Sequence, residues 1–278
     1  VSDRWPCQND GVNDLHIALW QTPHPASSAE ALQRLDAACA QARAQGAELL
    51  VTPEMFMTGY AIGAERVAAL AEPADGPLAQ AVAATALRHG IAIVYGYPED
   101  NPHGPPFNAA QAIAPDGTQL ASYRKTHLYG DLDRTQFSAG NVASPVFTWR
   151  GWRLGLLICY DVEFPEAVRG LALQGADAVL VPTANMEPFD EVQRVLLPAR
   201  ALENRLFVAY ANACGAEAAL RYNGLSTVYG PDGQTLAQAT AKGECLLRVT
   251  LSRRELDAAR TTSPVTDRRH DLYGPLVR

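Results

Sequence analysis

The chain of 278 residues is 47% hydrophobic and carries a formal charge of −7, with a pI near 5.4. That length suits one large domain or two, and that apolar fraction fills a sizeable core. The acidic balance, with no basic stripe to offset it, argues against nucleic acid or an anionic membrane as the main partner.

The five cysteines, Cys7, Cys39, Cys159, Cys214 and Cys245, are odd in number and form no CxxC or Cys/His cluster. They suit a reducing compartment and supply neither a disulfide framework nor a zinc site. No apolar run approaches the ~18 residues of a membrane span, and the opening VSDRWPCQNDGVND is too polar for a signal peptide. The expectation is a cytoplasmic protein with a loosely ordered extension over 1–14 and a single domain over 15–278.

In chain order, apolar strands are expected at 15–20, 48–52, 91–96, 118–123, 154–158, 178–181 and 206–211. Helices are expected at 29–45, 76–89, 165–174 and 191–205. Fully apolar strands alternating with helices imply sheets covered by helices. The Pro-Asp-Gly turns at 115–117 and 231–233 add antiparallel pairing. A weak repeat links the halves. ACAQARAQGAELLVTPE (38–54) and VRGLALQGADAVLVPTA (168–184) each run helix, glycine, alanine, acid, apolar strand. An internal duplication in two packed, mixed sheets with helices outside both satisfies all these signals. No GxGxxG follows the first strand and no GxxxxGK[ST] occurs, so dinucleotide and P-loop chemistry are unsupported.

Three strand ends carry chemistry: 48–52 runs into Glu54, 118–123 into Lys125, and 154–158 into Cys159. Ligands gather at the carboxyl ends of strands in α/β sheets, so an acid, an amine and a thiol can converge there. Each alone has an ordinary explanation: a helix-capping acid, a solvated basic edge, a buried inert thiol. His127, beside this lysine segment, reads as a hydrogen-bonded structural residue.

Together, VTPEMFMTGY around Glu54, YRKTHL around Lys125 and GLLICYDVEFPE around Cys159 resemble the nitrilase superfamily of carbon–nitrogen hydrolases over about residues 15–276. PTANMEP, RALENRLFV and RRHDLYGPL extend the resemblance. It implies a four-layer αββα sandwich and a Glu-Lys-Cys triad in which Cys159 is nucleophile, Glu54 the proton shuttle and Lys125 an oxyanion partner. The backbone N–H of Tyr160, just after the nucleophile, is the natural second oxyanion donor. A second carboxylate often assists in this family. In DRTQFSAG it is Asp133, seven residues before Gly140, where the family carries Glu and a later Pro that is absent here; Asp131 competes for the role.

Tyr60, Glu163, Asn185 and Met186 are candidate substrate neighbours, with Asn185 a possible amide-binding group. Glu166 reads as a first-turn acid favouring the helix dipole. Arg200, Glu203 and Asn204 read as structural anchors of the helix 191–205. The leading expectation is a small-carboxamide amidase needing no metal or organic cofactor. A nitrilase and an N-carbamoyl amine hydrolase use the same triad, and the latter would want an Arg in the pocket, for which Arg134 and Arg221 are the candidates. A silent scaffold on this fold is the alternative of another class. The segment 165–174, with Ala167, Val168, Leu171, Ala172 and Leu173, is expected to mediate a homodimer or larger homo-oligomer.

Overall fold

The computed structural model describes residues 13–274; the stretch up to residue 12, which holds Cys7 and most of the expected extension, and residues 275–278 lie outside the described residues. The first half runs β1 (Leu15–Gln21), α1 (Ser28–Ala44), β2 (Leu49–Val51), α2 (Ala64–Leu70), α3 (Pro77–His89), β3 (Ala92–Glu99), β4 (Phe107–Ile113) and β5 (Gln119–Arg124). The second runs α4 (Gly130–Gln136), β6 (Val146–Trp149), β7 (Trp152–Leu156), α5 (Pro165–Leu173), β8 (Ala178–Thr183), α6 (Leu197–Asn204) and β9 (Phe207–Asn212). It continues through a hairpin of β10 (Cys214–Glu217) and β11 (Leu220–Asn223), then β12 (Thr227–Tyr229), β13 (Thr235–Gln238), β14 (Cys245–Leu251) and α7 (Arg253–Arg260).

Two mixed six-stranded sheets result, ordered β14-β1-β2-β3-β4-β5 and β6-β7-β8-β9-β12-β13. They have one topology. In each, an antiparallel edge strand precedes three parallel strands, and two antiparallel strands follow. The two Pro-Asp-Gly turns join β4 to β5 and β12 to β13, the matching places. The expected duplication and αββα layering are therefore both present. The edge strand of the first sheet comes from the far end of the chain: β14 pairs antiparallel with β1, Leu251 opposite Leu15.

Alternation along β1 shows how the layers are filled. Ile17 and Leu19 join the central cluster with Val179 and Val181 of β8, whereas Ala18 and Trp20 pack with Leu35 of α1 and Val82 of α3. On the second sheet, Val168 and Leu171 of α5 and Leu197 and Ala201 of α6 join one continuous apolar cluster with the strands they cover. Of the apolar residues expected to form an outer surface on α5, Val168, Leu171 and Ala172 are thus spent on the core, and Leu173 is left half exposed.

Two expected elements differ. The helix 191–205 is a π turn over Val192–Leu196 leading into α6. Pro198 lacks the N–H of a regular ladder, and the wider turn accommodates it. The strand expected at 154–158 ends its pairing at Leu156. Leu157 still donates to the Leu180 carbonyl at 3.1 Å, Ile158 stays extended, and a 3-10 turn then covers Cys159–Glu163. The α2 helix and the β10–β11 hairpin carry no strong periodic signal and were not expected.

Candidate active site

Since β3, β4 and β5 alternate in direction, β5 runs the same way as β2, and both carboxyl ends reach one edge of the first sheet. The β7 and β8 ends arrive from the second sheet. The sheets are stitched there: the Glu54 N–H donates to the Thr183 carbonyl at 3.2 Å.

Close backbone approaches fix both first-sheet residues. A Cβ on Gly96 of β3 would stand 2.5 Å from the Met55 nitrogen and 3.1 Å from the Glu54 carbonyl carbon, so only glycine lets this chain segment lie against β3. A Cβ on Gly140 would collide with the Arg124 carbonyl, and the Gly140 N–H donates to the Lys125 carbonyl at 2.8 Å. Cys159 opens its turn at φ +47°, a left-handed conformation rare for a residue with a side chain.

Glu54, Lys125 and Asp133 are all 0% exposed and form one chain of contacts. The Lys125 ammonium donates to Glu54 Oε1 and to Asp133 Oδ2, each at 2.7 Å. Glu54 Oε1 also accepts from the Asn108 amide at 2.7 Å, while Oε2 has no partner. Asp133 accepts further from the Tyr60 hydroxyl at 2.7 Å and the Tyr129 N–H at 2.8 Å. Its helix, α4, holds the Asp131 side chain exposed on the outside. Of the two competing acids, Asp133 is the one beside Lys125.

Burial pushes the Glu54 carboxyl up; the Lys125 charge pulls it back and that of Asp133 raises it further. Burial also works against the Lys125 ammonium, but the two carboxylates outweigh it and hold the group well above its usual value. The Cys159 thiol is pushed well up, by burial first and then by the Glu54 charge, with Lys125 opposing. At neutral pH the arrangement is a protonated amine, a protonated thiol and an acid with one unclaimed oxygen.

A pocket of ≈ 230 Å³ opens beside Cys159. Tyr60, Tyr160, Glu163, Asn185 and Met186 all line it, joined by Tyr129, Phe189, Glu191 and Val192, which sequence reasoning missed. The Asn185 amide is already engaged: it donates to the Phe189 carbonyl at 2.8 Å and to Gln193 at 3.1 Å, and its oxygen accepts from the Met186 N–H. Asn185 therefore lines the pocket with its amide N–H groups committed to the wall. Arg134 and Arg221 are exposed and neither lines the pocket.

Two anchors hold the thiol turn. Asp161, fully buried, accepts from the His127 N–H (2.9 Å), the Ile158 N–H (3.2 Å), the Thr126 hydroxyl (3.0 Å) and the Tyr123 hydroxyl (3.0 Å), with His127 Nδ1 at 2.7 Å. It clips the segment after Lys125 to the Cys159 turn. His127, as expected, is structural: it also stacks on Phe164. Arg200 donates to the Val162 carbonyl at 3.1 Å and the Glu163 carbonyl at 2.6 Å and pairs with Glu203, so it anchors the turn as well as its own helix. Glu166 stands in the first turn of α5 behind Pro165. His24, also missed, reaches the Glu54 carbonyl at 2.9 Å. No group of His, Cys, Asp or Glu suited to a metal occurs among the described residues, and no described helix is long and apolar enough to cross a membrane.

Residues 16–261 match the carbon–nitrogen hydrolase family. A protein of Pseudomonas protegens called hydrolase in pqqF 5'region is 50% identical over 96% of this chain and 94% of its own length. An (R)-stereoselective amidase of Pseudomonas sp is 38% identical over 82% of this chain and 81% of its own. An amidase from Nesterenkonia sp. AN1, solved as a variant in complex with butyramide, superimposes with a TM-score of 0.80 at 38% identity, covering 94% of this chain and 97% of that one. The same amidase has been solved with the acetamide moiety of fluoroacetamide added covalently at its active-site cysteine. With two duplicated sheets, the strand-end residues and these relatives in hand, the chain belongs to the carbon–nitrogen hydrolase family.

Proposed function

We propose that this enzyme hydrolyses small carboxamides to a carboxylic acid and ammonia through a thioester at Cys159. The observation that carries the reading is the unpartnered, buried Oε2 of Glu54 beside a protonated thiol, with Oε1 held by Lys125 and Asn108. Glu54 Oε2 takes the thiol proton as sulfur attacks the amide carbon. The tetrahedral oxyanion forms against the Lys125 ammonium and the Tyr160 N–H, donors that need no reorganisation at that moment. Glu54 returns its proton to the nitrogen, the C–N bond breaks and ammonia leaves. Water then attacks the thioester, Glu54 takes its proton, and the acid departs as the thiol re-forms. Asp133 holds Lys125 charged and in place, and Tyr60 and Tyr129 hold Asp133.

The names of the (R)-stereoselective amidase and of the amidase solved with butyramide support amides as substrates. An N-carbamoyl amino acid would bring a carboxylate into a pocket lined by Glu163 and Glu191 and by no Lys or Arg. A nitrile gives the same acid and ammonia, so it is distinguished by which compound is consumed. The same reading takes residues 15–278 as one domain in a cytoplasmic setting, in keeping with the cysteine usage, and expects self-association with no metal or organic cofactor. The test is ammonia release from butanamide, propionitrile and an N-carbamoyl amino acid. Release from butanamide, lost in Cys159→Ala, is the expected result. Release only from the nitrile or the carbamoyl compound would replace the amidase reading, and none from any would leave a silent scaffold.

A further inference from the structure

The pocket beside Cys159 is lined by two acids and by no basic side chain. Glu163 and Glu191 both line it, and neither carboxylate enters a hydrogen bond or ion pair among the described residues. The other acids of the site are all engaged. Glu54 and Asp133 share Lys125, Asp161 collects donors from two segments, and Glu217 accepts from the Tyr60 and Ala61 N–H groups and the Tyr222 hydroxyl. The nearby cations are engaged too. Lys125 is held between its two carboxylates, and the Arg200 guanidinium is turned onto the Val162 and Glu163 carbonyls and the Glu203 carboxylate.

The cost of this arrangement is visible in Glu163, whose carboxyl is pushed up to about 7 by burial first and by the Glu191 charge second, with Lys125 and Arg200 pulling down. Tyr129, on the same wall, is itself raised by burial and by the Glu163 charge. Two carboxylates that repel across a pocket are relieved by a cation between them. The same wall carries the rings of Tyr129, Tyr160 and Phe189, with Tyr129 packed edge-on to the other two at 5.4 and 6.0 Å. Aromatic surroundings also favour a cation over an anion.

We infer that the preferred substrates are small carboxamides bearing a protonated amine, which Glu163 and Glu191 receive while the scissile amide lies at Cys159. This rests on the amidase reading and narrows it. Half-amides of dicarboxylic acids, which would set a third carboxylate against these two, are disfavoured by the same charges.

Three probes of similar size test it: 3-aminopropanamide, its uncharged isostere butanamide, and the anion succinamate. The expected result is a kcat/KM for 3-aminopropanamide above that for butanamide by roughly tenfold, the low end for a hydrogen bond to a charged group, with succinamate slowest. Glu163→Gln should bring the first ratio towards one. Glu191→Gln, at an exposed position that tolerates change, should lower it by a smaller factor. Between pH 6 and 8, while the amine stays protonated, the ratio should rise as Glu163 loses its proton. Turnover of butanamide with no preference for the amine, or a preference that survives both substitutions, overturns the inference and leaves the amidase reading standing. Turnover of none of the three overturns both.

Discussion

The two halves of the molecule share one sheet topology and supply different residues to the proposed site. After β2 the first half places Glu54; after the matching β8 the second half places Ala184 and Asn185. After β7 the second half places Cys159; after the matching β1 the first half places Thr22, Pro23 and His24, whose ring supports the Glu54 carbonyl. After β5 comes Lys125, and after the matching β13 come Ala239 and Thr240. The duplicated scaffold thus offers equivalent strand ends, and a different subset is armed in each half. The acid and amine come from one sheet and the thiol from the other, so neither half holds the whole of the proposed site.

The comparison breaks most sharply at Cys159. Cys159→Ala should abolish ammonia release while circular dichroism stays that of the parent; more than a few per cent residual turnover would remove Cys159 as nucleophile. On the first-half side, Glu54→Gln should lower amide kcat by at least roughly a hundredfold, the lower range for lost general acid–base help. Lys125→Ala should cost a similar factor through the oxyanion. Near-normal rates in Glu54→Gln would make Glu54 a structural acid and move the base to Asp133 or Glu163.

The joint between the halves gives a smaller effect. Asp161→Asn leaves the donors from Tyr123, Thr126, His127 and Ile158 on a neutral acceptor. We expect a stability loss of about 1–3 kcal/mol by thermal unfolding, together with a several-fold fall in kcat at nearly unchanged KM. A lower Tm with kcat intact would show that Asp161 supports the fold without positioning the thiol turn.

Acid sharpens the comparison further, because the raised Glu54 carboxyl binds its proton at a higher pH than an ordinary carboxylate. Below that point it could not take the thiol proton that the proposed mechanism assigns to it. The acid limb of kcat/KM should therefore lie above about 4.3, the usual value for glutamate; a limb at or below it would exclude Glu54 as the group responsible. The smallest effect on rate is expected from assembly. Sedimentation at micromolar concentration should give a mass above the 29.9 kDa of one chain, and a value equal to it would contradict self-association.

Much of this was legible because the residues concerned follow short apolar strands. Glu54 and Cys159 follow runs that read as core, Lys125 is marked by the YRKTHL resemblance, and Asp133 is marked by its spacing to Gly140, the residue that lies against Arg124. The duplication was legible because a glycine and a Pro-Asp-Gly turn recur in phase in both halves. Asn108 and Asp161 were not found, although each is a polar residue within an apolar stretch. Their partners lie 54 and 34 positions away, at Glu54 and His127, and only the folded sheets show which buried group they satisfy. Tyr129, Phe189 and Glu191 reach the pocket from turns and a π segment that have no periodicity to read. The exact start of the thiol turn was missed for a simpler reason: Leu157 and Ile158 are as apolar as the strand before them, while pairing ends at Leu156.

The antiparallel partner of β1 is β14, with Leu15 opposite Leu251. During synthesis β1 therefore stands as an open edge of the first sheet until β14 has been made. Contacts of such long sequence separation form late, because a large loop must close before they are rewarded. The Glu54 and Lys125 strand ends belong to this late-completed sheet, whereas the edge strand beside the Cys159 strand is β6, its immediate neighbour in the chain. A chain truncated before Cys245 would expose β1 as an unpaired apolar edge, the kind of surface that recruits other chains into aggregates.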